Sequence, residues 1–300
     1  MNWVDHIFAP ASALIWALSV PVINRAFSNL PEKGQPIHIL TGLMIAIFFG
    51  TGVSFALNFN SLSHGVSFTW TAVTAGLLTF PIATGTYYFS GWAFGDRAEL
   101  ASQFAKVKPA IAIVFAFVIL KEPLSQLQIF ASISIIIGVC FFFIEGLRKR
   151  PHLNAVLLGC LTALFWALGE LVIGLDETAV SGLQINFLGL LASAVIFGPA
   201  LLINPVRRSL SFSHLSFYLP FALHGCLSFG LAYSCFFESI KRIGLGKSIL
   251  LSCYWPVIPI LGYLIWARLN GTMYSINRLT VVGIFFILFG SFLEALTHLV

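Results

Sequence analysis

Two lysines in one apolar run, Lys106 and Lys108, are the residues of this chain best placed to hold a charged ligand. If a helix begins near residue 98, they lie about 12–15 Å along it, close to the centre of a bilayer. Insertion scales charge a central lysine about 2.5–3.5 kcal/mol, so two facing lipid would cost about 5–7 kcal/mol. Snorkelling relieves such a cost near a helix end, and this depth argues against it. A protein-lined aqueous cavity is the better expectation, and a cation there attracts a carboxylate or a phosphate. Glu170 stands in another apolar run. A carboxylate within a membrane can carry a proton, bind a substrate amine or pair with a lysine. It lies within about 7 Å of its helix end, so an interfacial position competes with these roles. Glu238 and Glu294, near the ends of their runs, read as interfacial.

Two residues along a helix is about 200° of rotation, so the two lysines cannot share a face. Helical spacing puts Lys106 on a polar stripe with Glu99, Ser102 and Gln103, and Lys108 on a packing face with Ala101, Phe104 and Ala105. This favours Lys106 slightly as the cavity residue. Aligning Pro109 with Pro256 argues the other way, because it pairs Lys108 with Trp255 on the more polar stripe of a later run. A bend at Pro109 would bring both lysines nearer the cavity. Tyr254 and Trp255, beside Pro256, are the leading aromatic candidates for the cavity wall. Trp16 and Trp166 add amphipathic aromatic surface, while Tyr87, Tyr88 and Tyr233 read as packing or interface belt. His224 is a lone imidazole and reads as a satisfied core residue. An enzyme would need paired acids, a histidine cluster or a nucleophile–base set at one depth, and none is visible. The histidines show no His-x-x-x-His pairing and the five cysteines no metal-type spacing, so neither a metal nor a cofactor is expected.

The elements that must position these residues are membrane helices. Hydrophobic residues make up 58% of the chain and charged residues 9%, far below the roughly 25% charged residues of a soluble domain. Mean hydropathy is +0.95. The apolar runs are unbroken and helix-length rather than alternating, which argues against a transmembrane barrel. About ten spans are expected, near 7–27, 37–58, 68–92, 98–120, 126–145, 153–174, 183–203, 217–239, 246–267 and 277–298. The loops are short and leave no room for a soluble domain. The net charge of +5 falls in those loops, where it orients helices, so no nucleic-acid partner is expected.

The chain also repeats itself. Ala13-Leu14-Ile15-Trp16-Ala17-Leu18 returns as Ala163-Leu164-Phe165-Trp166-Ala167-Leu168, and Val22-Ile23 returns as Val172-Ile173. Two repeats, 1–147 and 152–300, meet at Arg148-Lys149-Arg150-Pro151. An odd number of spans in each forces the second to cross the membrane in the opposite sense. Such inverted repeats place a binding site near the midplane. Arg25, Lys33, Arg97, Arg148, Lys149, Arg150, Arg207, Arg208, Arg268 and Arg278 collect on one side, and Lys121, Lys241, Arg242 and Lys247 on the other. The positive-inside rule puts the first side in the cytoplasm and both termini outside.

Pro109 is followed by Glu122 in Lys108-Pro109-Ala110-Ile111 and Ile119-Leu120-Lys121-Glu122-Pro123-Leu124-Ser125, then by Gln128 and Gly138. This pattern resembles the EamA-type repeat of the drug/metabolite transporter superfamily. The fourth helix of that repeat carries a mid-span proline and ends in an L-G-E-x-L-T turn. The Ala-Leu-x-Trp-Ala start of each half is similar to the family's first-helix signature. The resemblance covers nearly the whole chain as two tandem copies. Lys121 replaces the family's small residue before the glutamate, and in the second copy Leu269 stands where the glutamate would be. Family habit puts both termini in the cytoplasm, against the charge count.

What the resemblance implies is secondary transport of small metabolites. With Lys106, Lys108 and Glu170, amino acids or amino-acid-like compounds fit best, and phosphorylated or nucleotide-derived metabolites or drugs come second. An intramembrane enzyme is the alternative from another class. The expected partners are a small-molecule substrate, the lipid bilayer and protons as a candidate coupling ion. The expected form is a monomer or homodimer, multi-pass in a bacterial inner membrane.

Overall fold

A computed structural model describes residues 3–28, 36–62, 67–94, 99–209, 215–270 and 276–297. Lys33 and Arg97, both counted toward orientation, lie outside them. The described residues form helices and no strand. In chain order these are α1 (Phe8–Ser28), α2 (Pro36–Leu62), α3 (Trp70–Leu77), α4 (Gly85–Phe94), α5 (Glu99–Ala105), α6 (Lys108–Val118), α7 (Gln126–Arg148) and α8 (Leu153–Gly174). They continue with α9 (Gly182–Phe197), α10 (Asn204–Ser209), α11 (Leu215–His224), α12 (Tyr233–Ile243), α13 (Leu245–Ser252), α14 (Val257–Leu269) and α15 (Arg278–Leu296). Short 3₁₀ turns at Trp3–His6 and Gly198–Leu202 extend α1 and α9, and π-helical segments at Leu78–Thr84 and Gly225–Ala232 join α3 to α4 and α11 to α12.

Among the described residues, eight helical stretches are long and apolar enough to cross a membrane: Val4–Phe27, Pro36–Asn60, Gln126–Arg148, Leu153–Gly174, Gly182–Leu202, Ser216–Ile243, Leu245–Ile265 and Arg278–Leu296. The chain is a multi-pass membrane protein. The other two expected spans are helical as well. The run through α3 and α4 is diluted by Thr71, Thr74, Thr79, Thr84 and Thr86 together with Tyr87 and Tyr88. The run through α5 and α6 is interrupted at Lys106-Val107. The first departure comes from polar side chains within the run, and the second from a break in the helix.

The outer faces explain the composition. Leu14, Leu18, Phe130, Val195, Phe285 and Phe292 are among many large apolar side chains left exposed, a surface untenable in water and ordinary in lipid. Helix contacts inside the bundle use small residues instead. A Cβ added at Gly138 of α7 would stand 2.8 Å from the Gly283 carbonyl of α15, so those backbones touch where a larger residue would part them. Helix α8 packs against α3, α4, α5, α6, α12 and α13, which puts it at the centre of the bundle.

Candidate functional site

Proline has no N–H, and its ring crowds the preceding turn, so Pro109 cannot continue α5 as a straight helix. The chain instead turns through Lys106 and Val107. The Val107 N–H donates to the Phe104 carbonyl at 3.3 Å, and the Val107 carbonyl accepts from Ala110 at 3.1 Å and Ile111 at 3.3 Å. Helix α6 thus restarts at Lys108 with proline in its first turn, where no N–H is required. The same device recurs at Pro256: α13 ends at Ser252, Trp255 N–H donates to Ser252 O at 3.2 Å, and α14 begins at Val257.

The break resets the helical phase, and both lysines reach the interior. Lys108 is 6% exposed and Lys106 8%. Lys108 Nζ donates to Glu170 Oε1 at 2.6 Å and lies 4.7 Å from the Trp16 ring and 4.8 Å from that of Phe236. Assigning Lys108 to a packing face assumed an unbroken helix and is corrected. Glu170 is fully buried, because α8 is central, so its interfacial reading is corrected too. Glu170 Oε2 and Trp166 Nε1 have no hydrogen-bond partner among the described residues.

Around Lys108 lies a small chamber, lined by Trp16, Ser19, Val20, Tyr87, Ala105, Lys108, Trp166, His224, Ser228, Tyr233 and Trp255. His224 Nδ1 is 2.8 Å from the Tyr88 hydroxyl, which makes it a bonded residue of the chamber wall. Tyr254 departs from expectation. Its hydroxyl donates to the Pro10 carbonyl at 3.2 Å, and it lines neither this chamber nor the vestibule beyond it. Beyond Val20 and Trp255, which border both spaces, the vestibule has a volume of about 1170 Å³ and is lined by Arg25, Gln103, Lys106, Glu145, Lys149, Pro256 and Asn277 among others. Lys106 there lies 4.7 Å from the Phe142 ring.

The opposite end is tied shut. Arg242 donates to Asp5 Oδ1 and to Glu238 Oε1, each at 2.6 Å. Lys241 donates to Asp176 Oδ2 at 3.0 Å and to the carbonyls of Asp176 and Thr178 at 2.7 and 2.8 Å. Glu238 also accepts from Leu183 N–H at 3.3 Å, and Glu294 accepts from Gln128 at 3.1 Å. Both side chains are buried within the bundle. The Glu238–Arg242 tie follows i,i+4 spacing on α12, whereas Asp5 lies 237 positions from Arg242 and no local pattern announces it.

Asp176 stands between membrane helices. Burial raises its pKa, but hydrogen bonds from Thr178, Lys241 and Thr71 outweigh that and hold it below the usual carboxylate value. A carboxyl with a depressed folded-state pKa stabilises above the unfolded value of about 3.9 and loses that contribution as pH falls through the folded one. Asp176→Asn should therefore melt below the parent protein by a constant margin from pH 5 to 8. The margin should close in scans taken below about pH 4.

Glu122 has a structural task. Its two carboxylate oxygens accept the N–H groups of Leu245 and Gly246 at 2.7 and 2.8 Å, at the first turn of α13. There the helix dipole and free donors favour an anion. To aim it, Lys121 adopts φ +53°, a left-handed conformation suited to glycine. This is the physical sense of the small residue in the family pattern. Lys121→Gly should raise stability by about 1 kcal/mol, read as a higher melting temperature in detergent.

Residues 153–295 match the model of the EamA-like transporter family. No curated protein matches the sequence significantly. In fold, the chain is similar to a protein known from a crystal structure, with a TM-score of 0.70 over 99% of this chain and 98% of the other at 16% identity.

Proposed function

We propose, from the match of residues 153–295 to the EamA-like transporter family model, that the chain is a secondary active transporter of amino acids or amino-acid-like compounds. Its substrate site is the chamber at the break between α5 and α6. The observation that carries the reading is the buried Lys108–Glu170 pair, 2.6 Å apart. A zwitterion can replace this contact on both sides, its carboxylate taking Lys108 and its ammonium taking Glu170. Glu170 Oε2, without a partner, is an acceptor waiting for such a donor. Trp16, Trp166, Tyr87, Tyr233 and Trp255 offer ring surface to an apolar or aromatic side chain. A phosphorylated ligand would meet the Glu170 carboxylate beside its cation, which weighs against that alternative.

Ten helices in two inverted five-helix repeats, 1–147 and 152–300, are the architecture proposed for this transport. Two features support it. The π-helical segments at Leu78–Thr84 and Gly225–Ala232 begin 147 positions apart, and so do Pro109 and Pro256. Each half then holds a π-distorted helix and a proline-broken one, the irregularities that transporters keep at their central sites. The vestibule opens among Arg25, Lys149 and Asn277 while Arg242 and Lys241 tie the far end, as alternating access requires of one of its two states. By the positive-inside rule the open end faces the cytoplasm. Protons are the proposed coupling ion.

The test is uptake of the twenty radiolabelled protein amino acids into proteoliposomes, with and without a pH gradient. Saturable accumulation of at least one, driven by the gradient, is expected. If no amino acid exceeds protein-free liposomes in either condition, the substrate class is wrong.

A further inference from the structure

The vestibule has its own binding chemistry, distinct from that of the chamber. Lys106 is 8% exposed, contacts the Phe142 ring and makes no ion pair with a carboxylate among the described residues. Arg25 and Lys149 line the same space, so an anion entering it meets positive charge on three sides. Two residues with acceptor oxygens line the same vestibule. Glu145 is 6% exposed and its Oε2 has no hydrogen-bond partner among the described residues; the same holds for Gln103 Oε1. Gln103 Oε1 lies against α7 next to Glu145, since a Cβ on Gly146 would stand 3.4 Å from it. A buried acceptor left unmade costs about 1–3 kcal/mol, so two at one place call for a donor.

We propose that the vestibule holds a second site for a zwitterionic amino acid, with Lys106 binding its carboxylate and Glu145 and Gln103 accepting from its ammonium. The site rests on the functional reading above and adds a station to it. Lys106 and Lys108 stand on either side of the helix break, and Val20 and Trp255 separate the two spaces. A ligand docks first at Lys106 and then passes Trp255 to reach Lys108 and Glu170. The turn after α5 carries Lys106 to the outer site, and the first residue of α6 carries Lys108 to the inner one.

Equilibrium binding of radiolabelled L-phenylalanine, a zwitterion whose ring suits the aromatic chamber, tests the proposal on the full-length protein in detergent. Wild type should bind two molecules per chain. Lys106→Met and Lys108→Met should each bind one, Lys106→Arg should again bind two, and Glu145→Gln should weaken the outer molecule about tenfold. Thermal melts establish that each variant is folded. If wild type binds one molecule, lost in Lys108→Met and untouched by Lys106→Met, the outer site does not exist and the chamber reading stands. If the single molecule is lost in Lys106→Met and kept in Lys108→Met, the outer site stands and the chamber reading falls. If wild type binds none, the outer site falls, and the chamber reading is decided by the uptake of the twenty amino acids above.

Discussion

Lys108→Met should abolish the proposed transport and lower stability by about 3–5 kcal/mol, the cost of leaving a buried carboxylate without its counter-ion. The two partners are not equally dependent on each other. Without Lys108, Glu170 keeps no hydrogen-bond partner among the described residues, because Oε1 bonds Lys108 and Oε2 bonds nothing. Without Glu170, Lys108 still lies on the Trp16 and Phe236 rings. Desolvated cation–π contacts are worth up to about 2 kcal/mol, so Glu170→Gln should be the milder of the two by roughly that amount. The double variant Lys108→Met/Glu170→Gln removes both charges and should regain most of the lost stability while remaining inactive. Melting temperature and proteoliposome uptake, measured on all three, separate the two effects. A double variant that transports at the parent rate would show the pair to be scaffolding rather than substrate site.

Glu122→Ala should cost about 2–4 kcal/mol. Two charge-assisted hydrogen bonds are lost, each worth about 1.5–3 kcal/mol before discounting for partial exposure. Glu122→Gln keeps one oxygen acceptor without the charge and should lose about half as much. The effect should be local as well as global, with faster hydrogen exchange at the Leu245 and Gly246 amides than elsewhere in α13. Unchanged exchange at those amides in both variants would remove the capping role. Transport should fall too, because Glu122 hangs from the first half and grips the start of a broken helix in the second.

What could be read from the sequence was whatever follows from local chemistry. The deep lysines demanded a polar interior, and prolines at 109 and 256 demanded breaks. The internal echo singled out Glu170 where the first copy has Val20. What escaped depended on assembly. The face assigned to Lys108 came from a helical wheel, and a wheel fails once the helix stops at Ala105 and restarts. Glu170 lies only one turn from the end of α8, yet burial depends on where a helix stands in the bundle as well as on depth along its axis. Tyr254 and Trp255 are adjacent in sequence, and the turn between α13 and α14 sends one to the Pro10 carbonyl and the other to the cavity. The Arg242–Asp5 tie joins residues 237 positions apart, and no local pattern announces it.

The Lys108–Glu170 pair carries no net charge, wherever its proton resides. When the empty carrier turns its site from one face of the membrane to the other, this pair moves no charge through the field. A zwitterion seated between the two partners leaves the sum at zero. A membrane potential acts with about 2.3 kcal/mol per elementary charge for each 100 mV, so it has nothing to grip at the pair in either half of the cycle. Any current recorded with uptake would therefore count coupling ions, and its ratio to substrate flux would give their number directly.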